Sequence, residues 1–203
     1  MKNRIPYNPS LIEPKWQKKW KDSKIYNVDL DSKDKKNYFS LTMFPYPSGD
    51  LHIGHWYAFT PADSYSRFKK MKGFNVLHTQ GFDAFGLPAE NAAISRNINP
   101  MKWTFDNIDN MRGQFNLMGN SYDWSRELIT CTPEYYKWNQ FFFLKMYEKG
   151  IAYRKNGAVW WDPIDQTTLA NEQVVEGKSE RSGADVVRKM MPQWYFKITD
   201  YAE

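Results

Sequence analysis

Tyr38-Phe-Ser-Leu-Thr-Met-Phe44 is followed by Pro45-Tyr-Pro-Ser-Gly49 and then by His52-Ile-Gly-His55. The first segment is rich in aromatic and apolar residues, so it predicts a buried β-strand. The proline-glycine segment cannot continue a strand or a helix, and it therefore predicts a loop. A helix is expected from about Ile53, and Pro61 either stands in its first turns or kinks it. The inner face of this helix is expected to carry Ala58, Ala62, Tyr65 and Phe68.

The segments that follow repeat this alternation of strand and helix. Gly73 ends the first helix, and Asn75-Val-Leu-His-Thr79 predicts the next strand. Asn99-Pro100 supplies a cap and a first-turn proline for a second helix, which Gly119 stops. Its apolar positions at helical spacing are Ile108, Met111, Phe115 and Met118. Strands and helices that alternate at these lengths predict an α/β fold with a parallel sheet and crossover helices.

The last third of the chain has a different pattern. Thr132-Pro133-Glu134 opens a third helix in the same way as Asn99-Pro100, and Lys149-Gly150 closes it. Its inner stripe is expected at Tyr135, Trp138, Phe142 and Met146. From about Ile151, short apolar pieces and turns replace the helical spacing, which predicts a small β-rich appendage.

Composition bounds the class of protein. The 203 residues fit one domain with room for a small appendage, and 41% hydrophobic with 17% aromatic residues excludes wholesale disorder. The apolar runs are far shorter than the ~20 residues that span a bilayer, and no apolar segment follows the basic start, so neither a membrane span nor a secretory signal is expected. The single cysteine, Cys131, excludes an internal disulfide framework and fits a reducing compartment.

The formal net charge of +5 is a property of the N-terminal segment. Residues 1–38 hold ten Lys or Arg and five Asp or Glu, whereas the remainder holds 18 of each sign. One interpretation is a nucleic-acid contact. The other is a solvated amphipathic helix, in which Ile12, Trp16 and Trp20 form a buried stripe and the lysines between them face water.

His52-Ile-Gly-His55 indicates a phosphate site. It stands where a helix begins after a strand, and a helix N-terminus offers free N–H groups and a partial positive charge. Imidazoles three positions apart share one side of the first turn and can donate hydrogen bonds to phosphate oxygens. Gly54 has no side chain, so a base or ribose can approach the backbone there. The crevice at the carboxyl ends of parallel strands is where such sheets bind nucleotides.

The same segment resembles the nucleotide-binding motif of class I aminoacyl-tRNA synthetases. Met43-Phe-Pro-Tyr-Pro-Ser-Gly-Asp-Leu-His-Ile-Gly-His55, with Gly81-Phe-Asp-Ala-Phe-Gly-Leu-Pro-Ala-Glu-Asn-Ala-Ala93, is similar to leucyl-tRNA synthetases of bacterial type. Asn120-Ser-Tyr-Asp-Trp-Ser-Arg-Glu127 and Leu169-Ala-Asn-Glu-Gln-Val174 extend the resemblance over essentially the whole chain. The isoleucine, valine and methionine enzymes share the His-x-Gly-His loop but do not carry the Met43 and Gly81 segments.

The resemblance implies both an organisation and a reaction. It implies an N-terminal helical extension over 1–38, the first half of a Rossmann-like catalytic domain over 39–150, an appendage over 151–192 and a connecting segment over 193–203. The parent enzyme would attach leucine to tRNA-Leu through leucyl-adenylate, using ATP and Mg²⁺. From this family and the absence of targeting signals, we expect a cytoplasmic protein that has no membrane partner.

The resemblance also implies roles for individual residues. His52 and His55 would be catalytic and would steady the ATP phosphates, Gly54 would seat the adenosine, and Asp83 would hold the leucine ammonium. The full ATP-binding set is expected to be Pro45, Tyr46, Pro47, Ser48, Gly49, His52, Gly54, His55 and Glu90, and the leucine-binding set Met43, Phe44, Tyr46 and Asp83.

Structural alternatives stand beside these roles. Asp83 could simply cap a turn, and Met43 with Phe44 could be strand core. Glu90 and Asn91 either contact the ribose or only open a helix.

The sequence departs from the family in the appendage. Many relatives carry two cysteine pairs that bind zinc there, whereas this chain has Asp162-Pro-Ile-Asp165 and Ser179-Glu-Arg-Ser182. Structural zinc prefers thiolate or imidazole ligands, and serine hydroxyls stay protonated. We therefore expect a degenerate zinc knuckle without zinc or any other metal, held by Trp160, Trp161, Trp194 and turn hydrogen bonds.

A second departure concerns the lysine-rich Lys-Met-Ser-Lys-Ser loop of the family, which does not occur in these residues. We therefore expect an N-terminal fragment that is nearly inactive alone and needs the second half of the catalytic fold and the anticodon-binding domain. Two other function classes remain: a small nucleotidyltransferase with a His-x-Gly-His loop, and a non-catalytic tRNA-binding or assembly module.

Overall fold

The computed structural model describes residues 6–202, with backbone only at Pro88. Residues 1–5 of the predicted N-terminal extension, and Glu203, lie outside the described residues. The chain divides into two compact units, one ending at Tyr136 and the other beginning at Lys137.

The first unit contains short parallel strand pairs joined by helices. Strand β1 (Asn37–Ser40) pairs with β2 (Asn75–His78), and β3 (Gly81–Phe82) pairs with β4 (Leu128–Ile129). The helices of this part are α1 (Pro9–Asp22), α2 (Ile53–Met71), α3 (Leu87–Ser95) and α4 (Pro100–Met118). Both strand pairs are parallel, which confirms the predicted α/β class with crossover helices.

The predicted second helix is confirmed at both ends. The Asn99 side chain accepts hydrogen bonds from the backbone N–H groups of Met101 and Lys102, and Gly119 ends α4 in the left-handed conformation at φ 72°. Its inward face reaches the core of the unit, which consists of Phe59, Phe82, Ala84, Ile108, Met111, Phe115 and Tyr122. Two capped ends and a buried face make α4 a rigid support for the loops beside it.

The buried face of α2 differs from the prediction. Pro61 lies inside the helix, and the side chains that turn inward are Phe59, Asp63 and Ser66 rather than the predicted Ala58, Ala62, Tyr65 and Phe68. Asp63 tolerates burial because its carboxylate accepts hydrogen bonds from the Arg67 guanidinium and from Ser121. A buried polar network thus replaces an apolar contact, which a hydrophobic pattern cannot indicate.

The predicted strand 38–44 is shorter than expected and faces the other way. Regular pairing ends at Ser40, and the polar Ser40 and Thr42 are buried. Phe39, Leu41 and Met43 are exposed, Met43 to 75%. Side chains alternate between the faces of a strand, so burial of the small polar residues turns the apolar ones outward.

The aromatic stripes of two helices are also less buried than predicted. Helix α1 has no buried residue, and Trp16 is 41% exposed. Helix α5 (Pro133–Glu148), which crosses the division between the units, likewise has no buried residue, and Trp138 and Phe142 are exposed. The α1 lysines do face water, as the solvated-helix interpretation requires, while Trp20 packs against Tyr26.

The second unit is built on a long antiparallel ribbon. Strand β5 (Ala152–Asp162) pairs with β9 (Val187–Phe196) and with β6 (Thr167–Leu169). A shorter hairpin joins β7 (Val174–Val175) and β8 (Lys178–Ser179). The predicted β-rich character from about Ile151 is present, and β9 runs through the predicted boundary at 192. No helix within the described part is long and apolar enough to cross a membrane.

One buried carboxylate joins two turns of this unit. Asp162 Oδ1 accepts from the backbone N–H of Ile164 at 2.9 Å and of Asp165 at 3.1 Å, and Oδ2 accepts from the Ser182 hydroxyl at 2.6 Å. The Ser179 hydroxyl accepts from the Ser182 N–H at 3.3 Å. Burial by itself raises the pKa of Asp162, but hydrogen bonds from the two serines and the two N–H groups outweigh it and lower this pKa to about 2.

Candidate nucleotide site at the start of the second helix

His52 and His55 form a reciprocal cap on α2. His52 stands at the N-cap in extended conformation, and its Nδ1 accepts from the Gly54 N–H at 3.1 Å. The His55 Nδ1 accepts in turn from the His52 N–H, also at 3.1 Å. The motif therefore supplies its own helix cap, and the Gly54 N–H, one of the groups at the helix N-terminus, is already engaged.

This cap determines which imidazole nitrogens remain to bind a ligand. Because both Nδ1 atoms accept hydrogen bonds, the neutral rings carry their protons on Nε2. Burial, and then the nearby His52, lower the pKa of His55 below its ordinary value. With both Nδ1 atoms engaged, the two rings offer Nε2–H donors beside the positive end of a helix, a combination that suits an anion.

Gly54 is required by the His52 ring itself. A Cβ at position 54 would lie 2.9 Å from His52 Cε1 and 3.0 Å from Nδ1, closer than carbon atoms pack. The sequence interpretation attributed this glycine to the approach of an adenosine. The folded chain gives it a second reason, since only glycine lets the imidazole fold back over the first turn.

The two loops that follow strands β1 and β3 are joined to each other by hydrogen bonds. The Asp83 N–H, just after β3, donates to the Pro45 carbonyl at 3.0 Å in the loop after β1. The Tyr46 hydroxyl donates to the Phe85 carbonyl. Gly86 makes room for that ring, because a Cβ there would lie 2.1 Å from the Tyr46 hydroxyl oxygen. The ATP and leucine segments predicted from sequence are thus joined by direct hydrogen bonds.

The remaining predicted site residues differ in exposure. Pro45 and Pro47 are buried and support the loop, whereas Ser48 is exposed and Gly49, Phe44 and Tyr46 are half-buried. Met43 and Asp83 are exposed at the strand ends, and Glu90 is exposed in the first turn of α3. Within residues 6–202, no hydrogen bond or ion pair engages the Asp83 carboxylate, and no group of three His, Cys, Asp or Glu side chains could hold a metal.

Sequence reasoning missed the contacts that hold the loop before His52. A cleft of about 410 Å³ beside His52 is lined by Leu51, His52, Ile53, Trp56, Gln114 and Met118. Gln114 and Asn110, on α4, form hydrogen bonds to Asp50, and Gln114 also binds Leu51. Their spacing of four along α4 was the available signal, because it places both on one helix face.

Known proteins are similar to this chain in amino-acid sequence. A family model for class I tRNA synthetases (I, L, M and V) matches residues 15–203. Over 197 residues, 97% of this chain, it is 60% identical to a leucine–tRNA ligase of Thermosipho melanesiensis and 57% identical to one of Deinococcus radiodurans. The chain spans about a quarter (24%) of the length of each of these relatives.

Solved structures match it in fold. The ternary complex of an Agrobacterium radiobacter K84 LeuRS with tRNA and LeuAMS superposes with a TM-score of 0.89 and 44% identity, over 97% of this chain and 25% of that one. A Mycobacterium tuberculosis methionyl-tRNA synthetase with methionyl-adenylate gives a TM-score of 0.67 at 22% identity, over 82% of this chain and 33% of that one. The chain belongs to the class I tRNA synthetases (I, L, M and V) and has the fold of their catalytic domain.

Proposed function

We propose that this chain forms part of a leucine–tRNA ligase, which activates leucine with ATP and transfers it to tRNA-Leu. The observation that carries the proposal is the reciprocal His52–His55 cap at the start of α2, and the hydrogen bond between the loops of Pro45 and Asp83 supports it. The leucine–tRNA ligases that match this chain at 57–60% identity support the choice of amino acid.

His52 and His55 are proposed to bind the ATP phosphates through their Nε2–H groups. Charge that develops on phosphate oxygens is stabilised by donors fixed in advance, and the cap fixes both rings before the substrate arrives. Gly54 leaves the first turn open to the nucleoside, and Glu90 is proposed to bind the ribose. Mg²⁺ is proposed to enter with the phosphates of ATP, which is its common mode of binding in such sites.

Asp83 is proposed to bind the leucine ammonium group. Its exposed carboxylate has no ion pair within the described residues, so its negative charge is available to a cation. Met43, Phe44 and Tyr46 would border the apolar side chain of leucine. An apolar pocket distinguishes one methylene by only ~1–3 kcal/mol, so this border favours leucine over smaller residues only modestly.

We propose that the appendage is a degenerate zinc knuckle, in which hydrogen bonds take the place of the metal. Asp162 and Ser182, which stand at two of the four expected ligand positions, bind each other directly at 2.6 Å. The Asp162 oxygens already accept several hydrogen bonds, and serine is a poor zinc ligand, so this set does not fit the metal. Stoichiometric zinc found by metal analysis would contradict this assignment.

The whole enzyme is proposed to need further polypeptide. We propose that residues 1–38 form an extension, that the catalytic segment covers 39–150, that the knuckle covers 151–192, and that 193–203 begin a connection. The partners would be tRNA-Leu, the second half of the catalytic fold and an anticodon-binding domain, and the site of action the cytoplasm.

The decisive experiment is leucine-dependent pyrophosphate exchange. It is run on the chain alone and on the completed enzyme, meaning the chain combined with a polypeptide that supplies the rest of the synthetase. We expect exchange only in the completed enzyme, and faster with leucine than with isoleucine, valine or methionine. Asp83→Asn should raise KM for leucine about 10- to 100-fold, since a hydrogen bond to a charged group contributes ~1.5–3 kcal/mol.

The alternatives predict different outcomes of this experiment. Exchange by the chain alone would mean that the His52–His55 segment suffices for activation. No exchange from two folded partners would favour the non-catalytic tRNA-binding module.

A further inference from the structure

The loop that precedes His52 is attached to helix α4 by hydrogen bonds with two side chains, Gln114 and Asn110. The Gln114 Oε1 accepts a hydrogen bond from the Leu51 N–H at 2.7 Å, and its Nε2 donates to Asp50 Oδ1 at 2.9 Å. Asn110 donates to the same Asp50 oxygen at 2.6 Å. Gln114 therefore binds a backbone group and a side chain of the two residues immediately before the His52 cap.

The other hydrogen bonds of this loop lie farther from His52, while Leu51 also packs against the hydrophobic core. Residues 45–51 form no helix or strand, and the Ser48 N–H bonds only within the loop, to the Tyr46 carbonyl at 2.9 Å. The links of Pro45 and Tyr46 to the loop after β3 lie five or more residues before Leu51. Helix α4 is the only rigid element bonded to residues 50 and 51 within the described part of the chain.

We propose that Gln114 is a positioning residue for the His52–His55 pair. Gln114 fixes the backbone of Leu51 and thereby the residue at which α2 begins. Because the cap bonds of His52 and His55 depend on that starting point, a shift of Leu51 moves both imidazoles. Gln114 also lines the cleft that contains His52, so the anchored Leu51 and one of the proposed phosphate donors, His52, belong to one surface.

The activity part of the test rests on the proposed function and uses the completed enzyme. Gln114→Leu removes both hydrogen bonds, and Gln114→Glu keeps the acceptor for Leu51 but places a second carboxylate beside Asp50. We expect both variants to lower kcat of leucine-dependent exchange about 10- to 100-fold, because small displacements of catalytic groups are that costly. KM for leucine should stay within about twofold, since the proposed leucine residues lie elsewhere.

Two variants give the test its controls. Asn116→Leu makes the same kind of change on the exposed side of α4, and it should leave kcat unchanged. In the double variant Asp50→Asn with Gln114→Glu, the new amide at position 50 can donate a hydrogen bond to the new carboxylate at position 114. This variant should therefore recover part of the lost kcat.

Amide hydrogen exchange supplies a measurement that does not depend on catalysis. We expect faster exchange at Leu51 and Gly54 in Gln114→Leu than in Asn116→Leu. A kcat within twofold of wild type in both Gln114 variants, an equal loss in Asn116→Leu, or unchanged exchange at these two amides would each overturn the inference. A wild-type enzyme without leucine-dependent exchange would instead contradict the proposed function, and the Leu51 and Gly54 amides would still decide whether Gln114 anchors the loop.

Discussion

The imidazole rings of His52 and His55 lie with their centroids 4.0 Å apart and their planes inclined by 36°. Two positive charges at this distance repel each other, and burial acts in the same direction on the pKa of His55. Both effects favour the neutral form of the His55 ring. The Gly54 N–H fixes the His52 ring and the His52 N–H fixes the His55 ring, so the geometry exists before any ligand binds.

Gly54→Ala should lower the activity while leaving the stability nearly unchanged. The added Cβ would displace the His52 ring, which lies 2.9 Å away, and break the cap. We expect at least a 10-fold loss in kcat of the completed enzyme, measured by pyrophosphate exchange. The free energy of unfolding should change little, because the better helix propensity of alanine, ~1 kcal/mol, offsets the lost cap.

Gly113→Ala is the matched control for Gly54→Ala. It adds a methyl group to α4 where no atom lies within 4 Å. It should stabilise the protein by ~0.5–1 kcal/mol in urea unfolding without affecting exchange. Equal kcat values in the two alanine variants would show that Gly54 has no role in seating His52.

Tyr46 and Gly86 should respond to mutation with different severity. Tyr46→Phe removes one hydrogen bond to the Phe85 carbonyl and should cost ~1 kcal/mol of stability in urea unfolding. Gly86→Ala should cost more, because position 86 has φ 127° and the new Cβ would meet the Tyr46 hydroxyl at 2.1 Å. A smaller effect for Gly86→Ala than for Tyr46→Phe would contradict this packing.

His78 should make the first unit sensitive to mild acid. It is fully buried, and burial, opposed by Asp63 and reinforced by Arg67, lowers its pKa to about 4. The unfolded chain binds a proton near pH 6.5 while the folded chain does not, so stability is complete above that pH and falls as pH drops toward 4. In His78→Gln, the free energy of unfolding measured in urea should fall less steeply as the pH drops over this range. The difference from wild type should be up to ~1.4 kcal/mol per pH unit. Parallel pH profiles for the two proteins would exclude the effect.

Asp162 should also lose its stabilising effect in acid, but over a lower pH range than His78. Its pKa of about 2 lies below that of an unfolded aspartate, so its stabilisation is present above about pH 4 and is lost as pH falls through 2. Asp162→Ala leaves buried donors unpaired and should destabilise the second unit by ~1–3 kcal/mol at pH 7. Amide exchange along β5 and β9 measures this loss. Glu180→Ala, on an exposed side chain of the same region, should leave the exchange rates unchanged.

The sequence by itself determined the class of fold and the residue at which α2 begins. Strand–loop–helix order predicted where α2 begins, and Asn99 and Gly119 predicted both ends of α4, because caps and breakers act locally. The family followed from the resemblance that the segments Met43–His55 and Gly81–Ala93 carry.

Only the tertiary structure decided which faces are buried and what fixes the site. Asp63 and Ser66 displaced the expected apolar face of α2 because Arg67 and Ser121 satisfy the buried carboxylate, and Ser121 lies 58 residues away in sequence. Gln114 reaches Leu51 across 63 residues for the same kind of reason. Hydrogen bonds between distant segments depend on how the elements pack, and no local periodicity encodes that packing.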